Sequence, residues 1–349
     1  MSKDLTIVIP TYERPKYLKR SIDFWKNYDF KILYLDGSIN AQNNLDLPNN
    51  VTYIHSNTPI LQRLTMSARE VTTPYACFLS DDEFFLPDVL NNMIKFLDEN
   101  SDFVSIGGGC ARFVYKWKYL DLKLMYNKMQ LKEIENSELN IRTTQHLKNY
   151  LPRTIYGVNR TSAWLNALNA MKFASSMPLT GIEIIFELMI VVQGKVKIMP
   201  EIHWLRSVEN PTIIQVKSPL DHFHNWWENS ATFTEKENFF KAIRDNIDPR
   251  IYRGINFREI VFQAIEAYSL NAILKKNSLN RSIKHRVRKW ASIKLRPIFN
   301  MKLFLKIVIL SLFQVNDNLQ KFNSEIMSEN YNKINSDIYE IQKFLSLKA

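Results

Sequence analysis

Leu5-Thr-Ile-Val-Ile9 is a continuous, β-branched apolar run with no polar alternation. A strand of that kind is stable only where both faces of its sheet are covered. Pro10 ends the run, and a helix is expected over about Pro15 to Asn27. The pattern repeats. Strands are expected at Phe30–Leu35, Val51–His55 and Tyr75–Leu79, with helices at Ile60–Val71 and Pro87–Asn100. Strands alternating with helices imply an α/β fold with a mostly parallel sheet built from right-handed crossovers. Asp102–Ile106 reads as a further strand entering Gly107-Gly108-Gly109, a cluster that suggests close backbone approach. Residues 114–150 are polar and read as a helical insertion beside the sheet. An apolar helix, Ile182–Val192, ends at Gly194 before a strand, Lys195–Trp204. Beyond about Pro211 strand signals fade, which divides the chain into a sheet-bearing part, 1–210, and a helical, basic part, 211–349.

The net charge of +11 in 349 residues belongs to one window. Between Ala267 and Asn316 there are seven Lys and four Arg and no acid, and the remainder balances at 35 against 35. A localised basic segment points to an anionic partner. Met301–Leu310 within it reads as a helix with Lys302 and Lys306 on a narrow polar face. That pattern fits attachment to an anionic bilayer, at roughly 1 kcal/mol per surface-proximal cation, or a core helix with a solvated basic neighbour. The two cysteines, Cys77 and Cys110, exclude a disulfide framework and a zinc ribbon and fit a reducing compartment. No secretion signal pattern opens the chain, and no apolar run approaches the roughly 18 residues a membrane span needs. The expectation is a cytoplasmic protein, peripheral on the inner face of the plasma membrane.

The most informative chemistry is Ser80-Asp81-Asp82-Glu83, three adjacent carboxylates at the end of a buried strand. Like charges there must be solvated or neutralised by a cation, and hard oxygen ligands suit Mg²⁺ or Mn²⁺. The alternative is an acidic first turn of the helix that starts at Pro87.

Taken in order, Ile9-Pro-Thr-Tyr12, a second strand ending in Asp36-Gly37-Ser38, Arg63 in a helix and Leu79-Ser-Asp-Asp-Glu83 resemble the family 2 glycosyltransferases of GT-A fold. More narrowly they resemble a bacterial branch with an Asp-Asp-Asp-Phe-like motif. The resemblance covers roughly residues 5–206. It implies a GT-A nucleotide-sugar-binding domain that transfers a hexose-like sugar, with inversion and a divalent metal, to a surface-glycan or lipid-linked hydroxyl. By position, Pro10, Thr11, Tyr12, Arg14, Asp36, Arg63 and Asp81 would face the donor. Asp82, Glu83 and His203 are the implied metal ligands. Ser80 stands where the common motif has its first Asp. The resemblance also implies a catalytic carboxylate eleven residues before a Gly, which gives Glu183 ahead of Gly194, with Glu187 one turn on as substitute. Ile182-Glu183 replaces the family's usual Glu-Asp. Chemically, a Glu on an apolar helix gains the raised pKa that a general base needs. A structural buried Glu is the competing reading. Trp226 and Trp227 could stack on a sugar ring or sit in the core.

Two rival functions are weaker. A nucleotidyltransferase should carry a glycine-rich phosphate loop after its first strand, and Ile9–Pro15 has none. A nucleic-acid-binding protein would explain the basic window but leave the acidic turn without a role. An inactive relative on the same scaffold would account for the departures at Ser80 and Ile182.

Overall fold

The computed structural model describes residues 4–116, 119–125, 134–174, 177–210, 223–281 and 331–348. In chain order the elements are β1 (Leu5–Thr11), α1 (Pro15–Trp25), β2 (Lys31–Asp36), β3 (Val51–His55), α2 (Ile60–Met66), β4 (Tyr75–Phe78), β5 (Phe84–Phe85), α3 (Pro87–Glu99), β6 (Phe103–Lys116) and β7 (Tyr119–Leu124). They continue with α4 (Leu139–Lys148), β8 (Val158–Arg160), α5 (Thr161–Met171), α6 (Leu179–Gln193), β9 (Lys195–Ser207), α7 (Phe223–Glu228), α8 (Phe233–Arg244), α9 (Phe257–Arg281) and a last helix, α10 (Tyr331–Lys348).

One sheet runs β3-β2-β1-β4-β8-β6-β9-β5, with β7 paired to β6. Its first four strands are parallel, as the βα alternation predicts. The rest is mixed. β8 runs antiparallel to both β4 and β6, while β6 and β9 are parallel to each other. β8 is a three-residue strand entered from the 149–157 loop that follows α4. The expected helical insertion at 114–150 starts instead as the β6–β7 hairpin, and among its described residues helix spans Leu139–Lys148. Gly107–Gly109 serve that sheet. A Cβ on Gly108 would lie 2.6 Å from the Glu201 carbonyl oxygen, so the cluster answers to β9 rather than to a ligand.

The uninterrupted apolar character of β1 follows from its position. Val8 packs with Leu33, Ala76 and Phe78 under α5 and α6, while Ile7 and Ile9 pack on the other face with residues of α1, α3 and α10. Helices α7 to α9 contribute Phe223, Trp227, Phe239 and Ala264 to the first of these clusters. Trp226 and Trp227 are core residues, 3% and 5% exposed. The basic window from residue 282 onward lies outside the described residues. Within the described residues no helix is long and apolar enough to cross a membrane.

The carboxyl ends of β1, β2 and β4 lie side by side in the parallel half, where open α/β sheets form their binding crevice.

Candidate functional site

At that edge β4 ends and the acidic turn begins. Asp81, Asp82 and Glu83 are all buried, so their charges need partners within the protein. Asp81 finds two: Thr11 donates its hydroxyl at 2.6 Å, and Arg14 its Nη1 at 2.5 Å. The other arm of Arg14 reaches Asp82 at 2.9 Å, so one guanidinium bridges two adjacent carboxylates. Asp82 also accepts from Asn210 at 2.7 Å, and its backbone oxygen from Arg20 at 3.0 Å. Burial pushes Asp81 up to about 6, against the pull of Thr11 and Arg14. Glu83 rises further, to about 8, through burial and the charge of Asp82. It turns away from its neighbours: Trp204 donates its indole N–H at 2.7 Å, and Arg206 stands 3.8 Å away.

The remaining donor-side residues divide. Pro10 and Tyr12 flank Thr11 at the end of β1, and Tyr12 is exposed. Asp36 is buried and accepts from Ser38 at 2.6 Å and Tyr53 at 2.6 Å. A carboxylate carries about four acceptor sites, so capacity for a ligand remains. Arg63, expected to approach the donor, is buried and donates to the backbone oxygens of Thr11 (2.8 Å), Leu35 (2.8 Å) and Thr58 (3.0 Å). It ties the ends of β1 and β2 together. Gly37 makes room for it, since a Cβ there would sit 2.2 Å from the Arg63 Cζ.

Glu183 lies in the first turns of α6. It is half-buried, and burial together with Glu187 raises it to about 7 although the Tyr150 hydroxyl donates to it. Tyr268 of α9 packs edge-on against Tyr150 at 5.4 Å. Arg206 acts on the charges of both Glu83 and Glu183, which places the two carboxylates in one electrostatic neighbourhood.

Two expected site residues are engaged elsewhere. Glu187 is wholly buried, 2.7 Å from His146 Nε2, and accepts the Ile155 and Thr154 amides at 3.0 and 3.2 Å. It has no path to an acceptor. His203 lies with Nδ1 3.1 Å from the Gly109 oxygen and Nε2 2.9 Å from the Tyr156 oxygen, stacked on Phe85, and burial lowers it to about 4. With both ring nitrogens against carbonyls it is not placed to ligate a metal. Among the described residues no group of three His, Cys, Asp or Glu gathers as a metal cage. Glu83, turned to Trp204, also leaves the expected set. Asp82 fits best. Its hydrogen bonds converge on Oδ2, and Mg²⁺ is commonly held by one or two carboxylates with substrate phosphates and water.

Sequence reasoning did not single out Tyr150, Tyr156, Trp204, Arg206, Asn210, Arg20 or Tyr268. Each is brought in by a loop or a distant element, and no local spacing marks it.

Residues 6–163 match the model of glycosyl transferase family 2. This part of the chain is similar to the family 2 glycosyltransferases. The match takes in the first loop, Asp36, Arg63 and the acidic turn, and stops before Glu183. No curated protein matches the chain. Among solved structures, S. aureus TarS 1-349 in complex with UDP-GlcNAc is similar at 12% identity and a TM-score of 0.44, over 80% of this chain and 92% of that one. The same TarS fragment in complex with UDP gives 10% identity and 0.43, with the same coverages. A longer TarS structure gives 11% and 0.43 over 78% of this chain, which spans 55% of its length.

Proposed function

We propose that this protein is an inverting glycosyltransferase that moves a sugar from a nucleotide-sugar donor to an acceptor hydroxyl. The observation that carries the reading is a pairing of carboxylates. A buried acidic turn with a bridging arginine lies at the carboxyl ends of β1 and β4, and a half-buried glutamate raised to about 7 shares its electrostatic neighbourhood. Pro10, Thr11, Tyr12, Asp36 and Asp81 frame the donor side. Asp82 would hold a Mg²⁺ or Mn²⁺ together with donor phosphates, and the bound cation would supply charge to the departing diphosphate. Arg14 already neutralises Asp81 and Asp82, so anionic phosphates approach a turn whose charge is largely balanced.

Glu183 is the base. In-line displacement at the anomeric carbon needs a group that takes the acceptor proton as the hydroxyl attacks, and a carboxylate near pH 7 does so efficiently. The acceptor enters between Glu183 and the helical region 211–349, from which Tyr268 reaches the Tyr150 side chain. A glycan or lipid-linked acceptor at the inner face of an anionic membrane suits the basic window 267–316. Its first, described residues already present exposed Leu270 and Leu274 on α9.

Calorimetric titration with UDP-, GDP- and dTDP-sugars, with and without Mn²⁺, tests the donor half. The reading requires saturable binding of at least one donor, weakened by Asp82→Ala. No binding to any of them would remove it. Liposome flotation at low and high salt tests the membrane half: salt-sensitive binding to anionic vesicles is expected, and indifference to lipid charge would refute it.

A further inference from the structure

We propose that the turn Thr154–Gly157 is a built support for Tyr156, which faces the transferred sugar beside the acidic turn, and that Glu187, His203 and Asn159 are the positioning residues that hold it. The proposal rests on the glycosyltransferase reading and adds residues that it does not use.

Four elements converge on these four residues. From α6, Glu187 accepts the Thr154 and Ile155 amides at 3.2 and 3.0 Å. From β8, Asn159 Nδ2 donates to the carbonyl oxygens of Thr154 at 2.8 Å and Gly157 at 2.9 Å. From β9, His203 Nε2 lies 2.9 Å from the Tyr156 oxygen. At the end of β4, the Phe78 amide donates to the Ile155 oxygen at 3.3 Å. The turn also closes on itself through Gly157 N–H to the Thr154 oxygen at 3.1 Å. No side chain fits at Gly157, where a Cβ would stand 2.7 Å from the Arg153 oxygen and 2.8 Å from that of Ile106. Burying a carboxylate is costly unless its oxygens are well supplied with donors, and Glu187, with His146 at its second oxygen, meets that condition. The backbone of the turn is held from four elements, while the side-chain atoms Thr154 Oγ1 and Asn159 Oδ1 find no partner among the described residues.

What it holds is Tyr156. The ring stacks on Trp204 at 4.0 Å and 17°, and Trp204 in turn donates to Glu83. Ser80, at the position where the common family motif has an Asp, lowers the pKa of the Tyr156 phenol. Through Trp204 the ring is linked to the acidic turn, and Glu83 and Glu183 both act electrostatically on the phenol. Tyr156 as a residue is half-buried. A sugar passing from donor to acceptor crosses this position and meets an aromatic ring and a hydroxyl, the two groups that recognise pyranose C–H faces and hydroxyls. Glu187, the substitute base of the sequence reading, and His203, one of its implied metal ligands, thus act on the reaction through a tyrosine.

The test is a mutant cycle read by nucleoside diphosphate release from UDP-GlcNAc, UDP-glucose, UDP-galactose and GDP-mannose, with donor affinity measured separately. Tyr156→Phe should lower kcat by about 10- to 100-fold, the range set by misplacement of a reacting group, while donor Kd stays unchanged. Glu187→Gln keeps one acceptor oxygen for the turn and should fall in between. In the Tyr156→Phe background, read at about pH 9 where Glu183 is ionised with or without the Glu187 charge, it should cost nothing further, because both then act through one group. Glu187→Leu should match Tyr156→Phe in kcat; if it does not fold, the Gln and Phe variants complete the cycle alone. Wild-type turnover by Tyr156→Phe, or losses that multiply in the double variant, would overturn the proposal and leave the glycosyltransferase reading standing. Absence of release by the wild type from every donor would instead remove both.

Discussion

Tyr150→Phe isolates the control of the candidate base. Glu183 is raised to about 7 by burial and by Glu187, and the Tyr150 hydroxyl is the hydrogen bond that opposes the rise. Arg206 is the other group that stabilises the charged form. A hydrogen bond to a charged group contributes about 1.5–3 kcal/mol, and roughly 1.4 kcal/mol corresponds to one pKa unit, so losing it should raise Glu183 by about one to two units. A general base works only when ionised. The rising limb of kcat/KM against pH, near 7 in the wild type, should therefore move to about 8–9 in Tyr150→Phe. Activity at pH 7 should fall about 5- to 50-fold, with recovery at high pH. The phenyl ring keeps its contact with Tyr268, so global stability changes little. A pH–rate series between about 5.5 and 9.5 reads the effect. A limb that stays in place, or moves to lower pH, would show that Tyr150 does not set the charge of the working base.

Arg63→Ala removes the donor to three backbone oxygens and should destabilise the fold by about 2–4 kcal/mol in a urea titration; unchanged stability with lost donor affinity would restore Arg63 to the donor site. Arg14→Ala has a pH signature. Asp81 is raised to about 6 from 3.8, so the native state holds its proton more tightly than the unfolded chain, and stability falls as pH rises through that window. Without Arg14 the folded value rises further, so the loss should be small below pH 4 and grow above pH 6, toward the low end of about 3–5 kcal/mol for a broken buried pair. An equal loss in stability at pH 4 and pH 8 would contradict this account. Gly194→Ala should cost about 1–3 kcal/mol by overpacking, since its Cβ would lie 2.5 Å from a Val104 methyl, and a neutral result would mean that β6 yields.

The parallel half of the sheet was legible because its strands are buried on both faces and read as unbroken apolar runs between amphipathic helices. The mixed half was not. β8 is three residues long and β5 two, too short for periodicity, and the β6–β7 hairpin carries polar residues that read as helix. Within the site, Thr11, Arg14, Asp81 and Asp82, which sit on two short stretches of consecutive chain, meet in the structure as the sequence order suggests. The roles of Glu187 and His203 could not be read from that order, because a buried carboxylate or imidazole looks the same in sequence whether its partner is a substrate, a metal or a backbone amide. Only the three-dimensional convergence on residues 154–157 separates these cases. The same limit hid Asn210, which closes on Asp82 from 128 residues away.

The most direct test of the account is donor binding and sugar transfer measured side by side for the wild type and Glu183→Gln. The amide keeps the shape of the side chain but cannot take a proton. The account predicts unchanged donor affinity and a loss of transfer of about 10²- to 10⁴-fold, the usual contribution of a positioned base. Retained transfer by Glu183→Gln would contradict it.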